Sequence, residues 1–359
     1  MPTPKPTLAT VARAVGVSIS AVSRALRNHP SIPPATRDRI RTFAEQLGYR
    51  PNPLVAALMA GMRESRPTPV EFTLGLITAF DQPRPWQSGR IVQELYDGMV
   101  SRAEERGYRL EEFWSRQKGL TARRLSQILY QRQVPGVIVC SLPTAHGHMS
   151  LDWKHFAAVT IGYSLARPVL NRVISHHVHA LQIGMRELQQ LGYRRIGLVV
   201  EAVENARVDG QWLSAYLGAQ YAFPGAEQLP PFLPLPRIWT QGAFQRWFTR
   251  NRPDALLCVH PEEVAPWIDA LGLRIPEDLG IVDLYHRSTF ADRFAAVSHN
   301  AFHIGTNLVD LLVEAIHLNA RGLPNVPKTV LVEPEWKDGA SVRARKRAPA
   351  AARTPVQSA

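Results

Sequence analysis

Between residues 7 and 62 the apolar positions recur at helical spacing in short blocks. Leu8, Val11, Ala12 and Val15 stand at i, i+3, i+4 and i+7, the period of an amphipathic helix. Thr7 precedes them as an N-cap, because its hydroxyl can accept an orphan backbone N–H. Gly16 follows, where the chain must turn sharply and positive φ is tolerated. Ser18 then caps a second helix running from Ile19 to about Asn28. Pro33 and Pro34 precede a third, from Pro34 to about Leu47, with Ile40, Phe43, Ala44 and Leu47 as its expected buried stripe and Gly48 as its stop. Asn52-Pro53 opens a fourth, from Pro53 to Met62, apolar and nearly uncharged. At roughly ten residues it is marginal alone in water and needs a partner to pack on. Two helices joined by a tight glycine turn form a helix-turn-helix. The second helix of such a pair enters the DNA major groove.

Beyond Glu64–Pro69 the pattern changes to short apolar runs alternating with helical segments. Strands are expected at Phe72–Thr78, Gly136–Cys140, Ala158–Ile161, Arg195–Val200, Ala255–Val259 and Leu279–Leu284. Helices are expected at Ile91–Arg106, Arg123–Arg132, His179–Leu191, Gly242–Arg250, Glu263–Leu271 and His303–Arg321. This alternation predicts parallel α/β sheets with ligands at the strand C-termini.

Charge sharpens that division. Residues 1–66 carry a net +7 and residues 343–359 a net +5, while residues 67–342 hold 27 charges of each sign. The basicity sits at the two ends, as a nucleic-acid footprint on the first helices requires. The tail SVRARKRAPAAARTPVQSA is basic, rich in Pro and Ala, and expected to be disordered. The two cysteines, Cys140 and Cys258, end or lie in apolar runs and read as buried strand residues. No run of 18 apolar residues and no signal-like N-terminal segment is present, so a cytoplasmic, nucleoid-associated protein without membrane contact is expected.

The words TLATVARAVGVS, AVSRAL, ATRDRI and LGYRPNP, with the leucine of VAALM, resemble the lactose-repressor (LacI/GalR) family of bacterial transcription regulators. PGVIV, LGYRRIGLV, ARVDG, PDALLC, IPEDLGIV and Ile304-Gly305 continue the resemblance to about residue 342. It implies an all-α helix-turn-helix headpiece (1–50), a hinge helix and linker (51–69), an α/β two-lobed core like a periplasmic binding protein (70–342), and a basic tail (343–359). Three chain crossings would divide the core. Lobe one would hold about 70–171 and 296–325, lobe two about 172–295 and 326–342.

The resemblance also implies roles. Ile19, Ser20 and Arg24 would face bases, with Arg24 suited to bidentate bonding of guanine. Ile19 could touch a thymine methyl but cannot read a hydrogen-bond pattern. Thr7, Ser18, Ser23, Asn28, Tyr49 and Asn52 would touch phosphates. Leu58 would wedge into the minor groove, or else pack the hinge helix. Arg207, in ARVDG, would anchor a small effector in the core cleft, with a surface ion pair as its alternative role. Phe80, Asp81, Trp86 and Arg90 would line the cleft. His260-Pro261 stand where the family has an Asn-Asp pair, and Tyr285 or His286 where it has an acceptor aspartate. That loss of carboxylates argues against an ordinary hexose. A less hydroxylated, aromatic-stacked or anionic ligand fits, as does no ligand at all.

His176, His177 and His179 lack an adjacent Cys or carboxylate and read as a solvated loop before a helix. No Ser-His-Asp set, paired carboxylates or glycine-rich phosphate loop stands out, so neither an enzyme nor a cofactor is expected. The reading is a homodimeric regulator, acting as a repressor on a palindromic double-stranded DNA operator under a small-molecule effector, with a sugar-related compound among the candidates. A DNA-architectural protein with a degenerate cleft and a cytoplasmic small-molecule binding protein are the alternatives.

Overall fold

The computed structural model of the chain describes residues 7–26, 32–47, 49, 72–222, 227–286 and 293–345, with Ser23 described by its backbone alone. The chain divides into two compact units, Met1–Val70 and Glu71–Ala359.

The first unit contains α1 (Leu8–Val15), α2 (Ile19–Leu26) and α3 (Pro34–Gln46). Thr7 and Thr10 cap α1 reciprocally, each hydroxyl accepting the other's backbone N–H at 3.2 Å. Gly16 ends α1 at φ 72°, the left-handed conformation that a residue without Cβ adopts most cheaply. Ser18 Oγ accepts the Ala21 N–H at 3.1 Å and so caps α2. Val11, Ala12, Val22, Ala25, Ile40 and Ala44 close the small core. The stripe on α3 is narrower than the sequence pattern suggests. Ile40 and Ala44 are buried, while Phe43 and Leu47 sit at its margin, 36% and 37% exposed. The fourth helix expected over Pro53–Met62 lies outside the described residues.

The second unit is built on two sheets. The first has the order β12-β7-β5-β3-β1-β2: β1 is Phe72–Thr78, β2 Tyr108–Trp114, β3 Gly136–Val139, β5 Ala157–Ile161, β7 Asn171–Ser175 and β12 Thr329–Val332. All its pairings are parallel. The second has the order β13-β11-β10-β9-β8, with β8 Ile196–Val199, β9 Ala255–Cys258, β10 Gly280–Asp283, β11 Ala295–Ser298 and β13 Glu335–Lys337. Only the β11–β13 pairing there is antiparallel. A two-stranded ribbon pairs β4 (Gly147–His148) with β6 (Leu165–Arg167).

Helices connect the parallel strands: α4 Arg90–Glu105, α5 Ala122–Gln131, α6 His177–Gln190, α7 Ala202–Arg207, α8 Gln211–Ala222, α9 Gln241–Asn251, α10 Pro261–Asp269 and α11 Ala301–His317. Strands β3, β8, β9 and β10 are buried along their whole length. This is why they read as unbroken apolar runs rather than alternating ones.

Sheet membership moves the lobe boundaries inferred from the resemblance. Strand β7 belongs to the first sheet and β11 to the second. The first crossing therefore falls after Ser175, not residue 171, and the second after Ser298, not residue 295. Strand β12 also belongs to the first sheet, so the third crossing falls after Val332, not residue 325. The basic tail begins later than expected. The Arg343 N–H donates to Tyr193 Oη at 3.2 Å, and the Arg345 guanidinium lies 4.6 Å from the centroid of the Tyr193 ring. These contacts make residues 343–345 part of the folded unit.

In lobe one, α4 and α11 cross at glycines. A Cβ on Gly98 would lie 2.1 Å from Phe302 O, and one on Gly305 would lie 2.2 Å from Leu95 O. Backbone faces backbone here, so a methyl can be accommodated only by separating the helices. Gly98→Ala is expected to cost about 1–3 kcal/mol, the usual penalty of overpacking. Denaturant unfolding of the full chain measures it.

Candidate functional site

On α2, Val22 and Ala25 are wholly buried, whereas Ile19 is 51% exposed and Ser20 and Arg24 are exposed. The helical period thus separates a core face from a face of just those residues expected to read bases. Arg24 lies one turn beyond Ser20, its Nη2 donating to Ser20 Oγ at 3.2 Å and its Nε to the Ser20 carbonyl at 3.5 Å. These bonds hold the guanidinium along the helix surface, with donor capacity left over for a ligand. Thr7 and Ser18 both use their hydroxyls as helix caps. Tyr49 packs half-buried against the core, and burial raises its phenol pKa. Asn28, Asn52 and Leu58 lie outside the described residues, and nothing is described of the Ser23 side chain.

The second unit encloses a cavity of about 520 Å³ between its two sheets. Its lining groups follow strand C-termini in turn: Phe80 after β1, Ser141 after β3, Gly162 to Ser164 after β5, His177 after β7, His260 after β9, Tyr285 after β10 and His299 after β11. Parallel strands converge their C-terminal loops at one edge, which is where open α/β sheets bind ligands. Trp86 and Arg90 also line the cavity, and Trp86 stacks on Tyr96 with centroids 4.3 Å apart and planes 9° apart. Arg207 reaches the cavity from the end of α7. Its Nη1 lies 3.5 Å from Glu204 Oε1, while its buried Nε has no hydrogen-bond partner among the described residues.

Three expectations need correction. Asp81 is not a lining group: its carboxylate is 89% exposed and pairs with Arg116 at 2.9 Å, because it sits on the solvent side of the loop after β1. The expected deficit of acceptor carboxylates is filled from elsewhere. Glu204 and Glu262, near the starts of α7 and α10, both line the cavity, and Glu262 lies 3.4 Å from His260 Nδ1. The histidines are not a solvated loop. His177 is 2% exposed and its Nε2 is 3.1 Å from Tyr285 Oη, within a cluster with Trp212 and His299. His176 caps α6, its Nδ1 accepting the His179 N–H at 3.1 Å. Sequence spacing could not reveal this, since Trp212 lies 35 residues away and Tyr285 and His299 more than a hundred.

Arg90 and His286 form a latch from α4 of lobe one to the end of β10 in lobe two. Arg90 Nη2 lies 2.9 Å from His286 Nδ1 and 3.3 Å from its carbonyl oxygen. Burial first, and then the Arg90 charge, hold the His286 pKa below its usual 6.5. Above that value the imidazole is neutral whether the latch is made or broken, and the latch is intact. As pH falls through the lowered pKa, the closed form must take up a proton beside a guanidinium, and its stability is lost. The wild type is therefore expected to lose more thermal stability than His286→Gln between pH 7.5 and pH 5. Paired melts across that range check it. The cysteines are buried and free, and burial pushes the Cys140 thiol up to about 12.

Residues 7–52 match the model of bacterial regulatory proteins of the lacI family, and residues 185–342 match a periplasmic binding protein-like domain. The chain belongs to the lacI family. It is a DNA-binding transcription regulator. The lacI-family protein is 24% identical over 332 residues to the sucrose operon repressor of Pediococcus pentosaceus, covering 87% of this chain and 93% of that one. It is 22% identical over 332 residues to the transcriptional repressor PurR of Haemophilus influenzae, covering 86% and 91%. With the regulator PtxS of Pseudomonas plecoglossicida it shares 26% identity over 211 residues, 58% of each chain.

Among solved structures it superposes on a complex of the regulator CelR with cellobiose at a TM-score of 0.58 and 22% identity, covering 94% of this chain and 99% of that one. A lac repressor dimer bound to operator and the anti-inducer ONPF gives 0.54 and 20%, with the same coverage. These likenesses establish the helix-turn-helix unit and the two-sheet α/β core. No helix among the described residues is long and apolar enough to cross a membrane.

Proposed function

We propose that the protein is a repressor that binds a near-palindromic double-stranded operator as a homodimer and is controlled by a small hydroxylated ring ligand in the cleft. The observation that carries this reading is the convergence of strand C-terminal loops from both sheets on one cavity of about 520 Å³, with a buried guanidinium nitrogen of Arg207 left to be satisfied. Leaving a buried charged donor without a partner is costly, and a ligand hydroxyl or carboxylate removes that cost. Glu204 and Glu262 add acceptors for ligand hydroxyls, and Trp86 and Tyr285 add aromatic faces for a ring. A sugar-like ligand fits this set better than the sequence departures at His260 and Tyr285 suggested. The sucrose operon repressor and the cellobiose complex among the similar proteins point the same way.

Dimerisation follows from the reader. One helix spans only a half-site, and two-fold proteins match two-fold operators. Sedimentation of the full chain on operator DNA is expected to show two protein chains per duplex, and one chain per duplex would contradict it. The ligand class is tested by thermal-shift screening of the full chain against neutral sugars, sugar acids and nucleobases. Stabilisation by the hydroxylated ring compounds is the expected result. Stabilisation by none of these compounds would favour an architectural DNA-binding role.

A further inference from the structure

Every connection between the two sheets is made at three short segments: Ser175 to His177, Ser298 to Ala301, and Val332 to Glu335. Hydrogen bonds tie all three together. The His176 N–H donates to Val332 O at 3.0 Å, and Asn300 Nδ2 donates to Glu333 O at 2.8 Å. Against this hinge stand three side chains from separate parts of the sequence. His176 and His179 come from the first crossing and Glu333 from the third. Their ligand-type atoms all lie within 4.8 Å of one another. His179 Nδ1 is 2.5 Å from Glu333 Oε2. Among the described residues no other group of three His, Cys, Asp or Glu side chains converges in this way.

We propose that His176, His179 and Glu333 bind one divalent transition-metal ion of zinc type, and that the ion clips the first and third crossings together. Two imidazoles and one carboxylate suit Zn²⁺, and three protein ligands leave a fourth position for water. Bonds of about 2.0–2.2 Å hold tetrahedral ligands roughly 3.4 Å apart, so on binding the 2.5 Å His179–Glu333 pair opens while the longer separations shorten. The cluster can rearrange in this way, because the Glu333 side chain is 67% exposed and that of His179 36% exposed.

The proton balance is explicit. The His179 imidazole and the Glu333 carboxylate now share a hydrogen bond, which holds Glu333 below the usual carboxylate range. The ion takes that position and releases whatever proton the pair holds. His176 now uses its Nδ1 lone pair to cap α6. Metal at Nδ1 replaces the cap, and metal at Nε2 shifts the ring proton to Nδ1 and breaks it. Either way the ion alters the start of α6 as well as the spacing of the crossings.

Zinc chloride titrated by calorimetry into the EDTA-treated full chain at pH 7.5 tests the site. One saturable ion per chain is expected. His179→Ala, at a half-buried position, and Glu333→Gln, at an exposed one, both leave the α6 cap in place and are each expected to weaken binding by at least about tenfold. Hydrogen exchange at residues 175–179 and 332–335 is expected to slow when zinc is added. No saturable binding, or binding that both variants retain at full strength, would overturn the site. Tight binding with unchanged exchange would overturn the clip. Metal binding is read here directly, so the result stands apart from whether the cleft takes an effector.

Discussion

Arg207→Ala is expected to leave operator binding without effector unchanged and to abolish the effector's influence on it. In the folded core Arg207 touches the cavity and Glu204, and its Nε has no hydrogen-bond partner among the described residues. Removing it takes away a charged donor that a ligand would satisfy, and hydrogen bonds to charged groups are worth about 1.5–3 kcal/mol each. Ligand affinity should therefore fall by tenfold or more, since about 1.4 kcal/mol corresponds to a factor of ten. The proposed DNA reader, α2, belongs to the other unit. Calorimetric binding of a stabilising ligand to wild type and variant gives the first quantity. Operator titration without ligand gives the second. A variant that keeps full ligand affinity would reduce Arg207 to a structural ion pair with Glu204.

Arg24→Ala is expected to cost about 1–3 kcal/mol per half-site and to relax discrimination at one base pair in each. The side chain is exposed on the face of α2 opposite Val22 and Ala25, and its one described tether is Ser20. Truncation leaves the core of the first unit intact, so folding should be unaffected. What is lost is a bidentate fork of the kind that pairs with guanine O6 and N7. Titration against the operator and against single-base variants separates the outcomes. If every sequence weakens equally and the salt slope falls by about one, Arg24 contacts a phosphate instead.

The sequence exposed those parts whose signals are local. The caps at Thr7 and Ser18, the turn at Gly16 and the apolar runs of β3, β8, β9 and β10 each depend on neighbours within a few residues. Strand β2 escaped because it is an edge strand. YRLEEFW is buried at Tyr108 and Phe113, and charged residues interrupt it at 109, 111 and 112, so it carries no continuous apolar run. The shape of the cleft was legible only in part. Arg207, His260 and Tyr285 could be placed by their positions in or beside family words, and Phe80, Trp86 and Arg90 by the loop after the first strand, and all line the cavity. Glu204 and Glu262 could not, since their role comes from sitting near the starts of short helices that the fold aims inward. Asp81 was misplaced for the same reason in reverse: a loop residue's direction is set by the surrounding fold, and this one points to Arg116. The hinge cluster is the extreme case. His179 and Glu333 are 154 residues apart in sequence, and only the shared crossing brings them into contact.

The central claim is that a ligand in the cleft changes affinity for operator DNA. It is tested most directly by fluorescence-anisotropy titration of a palindromic operator with the full chain, at fixed salt, with and without a ring compound that raises the melting temperature. Where two sites on one molecule are coupled, the coupling is typically about 1–3 kcal/mol and equal in both directions. The operator dissociation constant is expected to shift by roughly 5–150-fold on adding ligand, and operator DNA is expected to shift the ligand's affinity by the same factor. Superimposable operator curves in the presence and absence of a saturating ligand would contradict it.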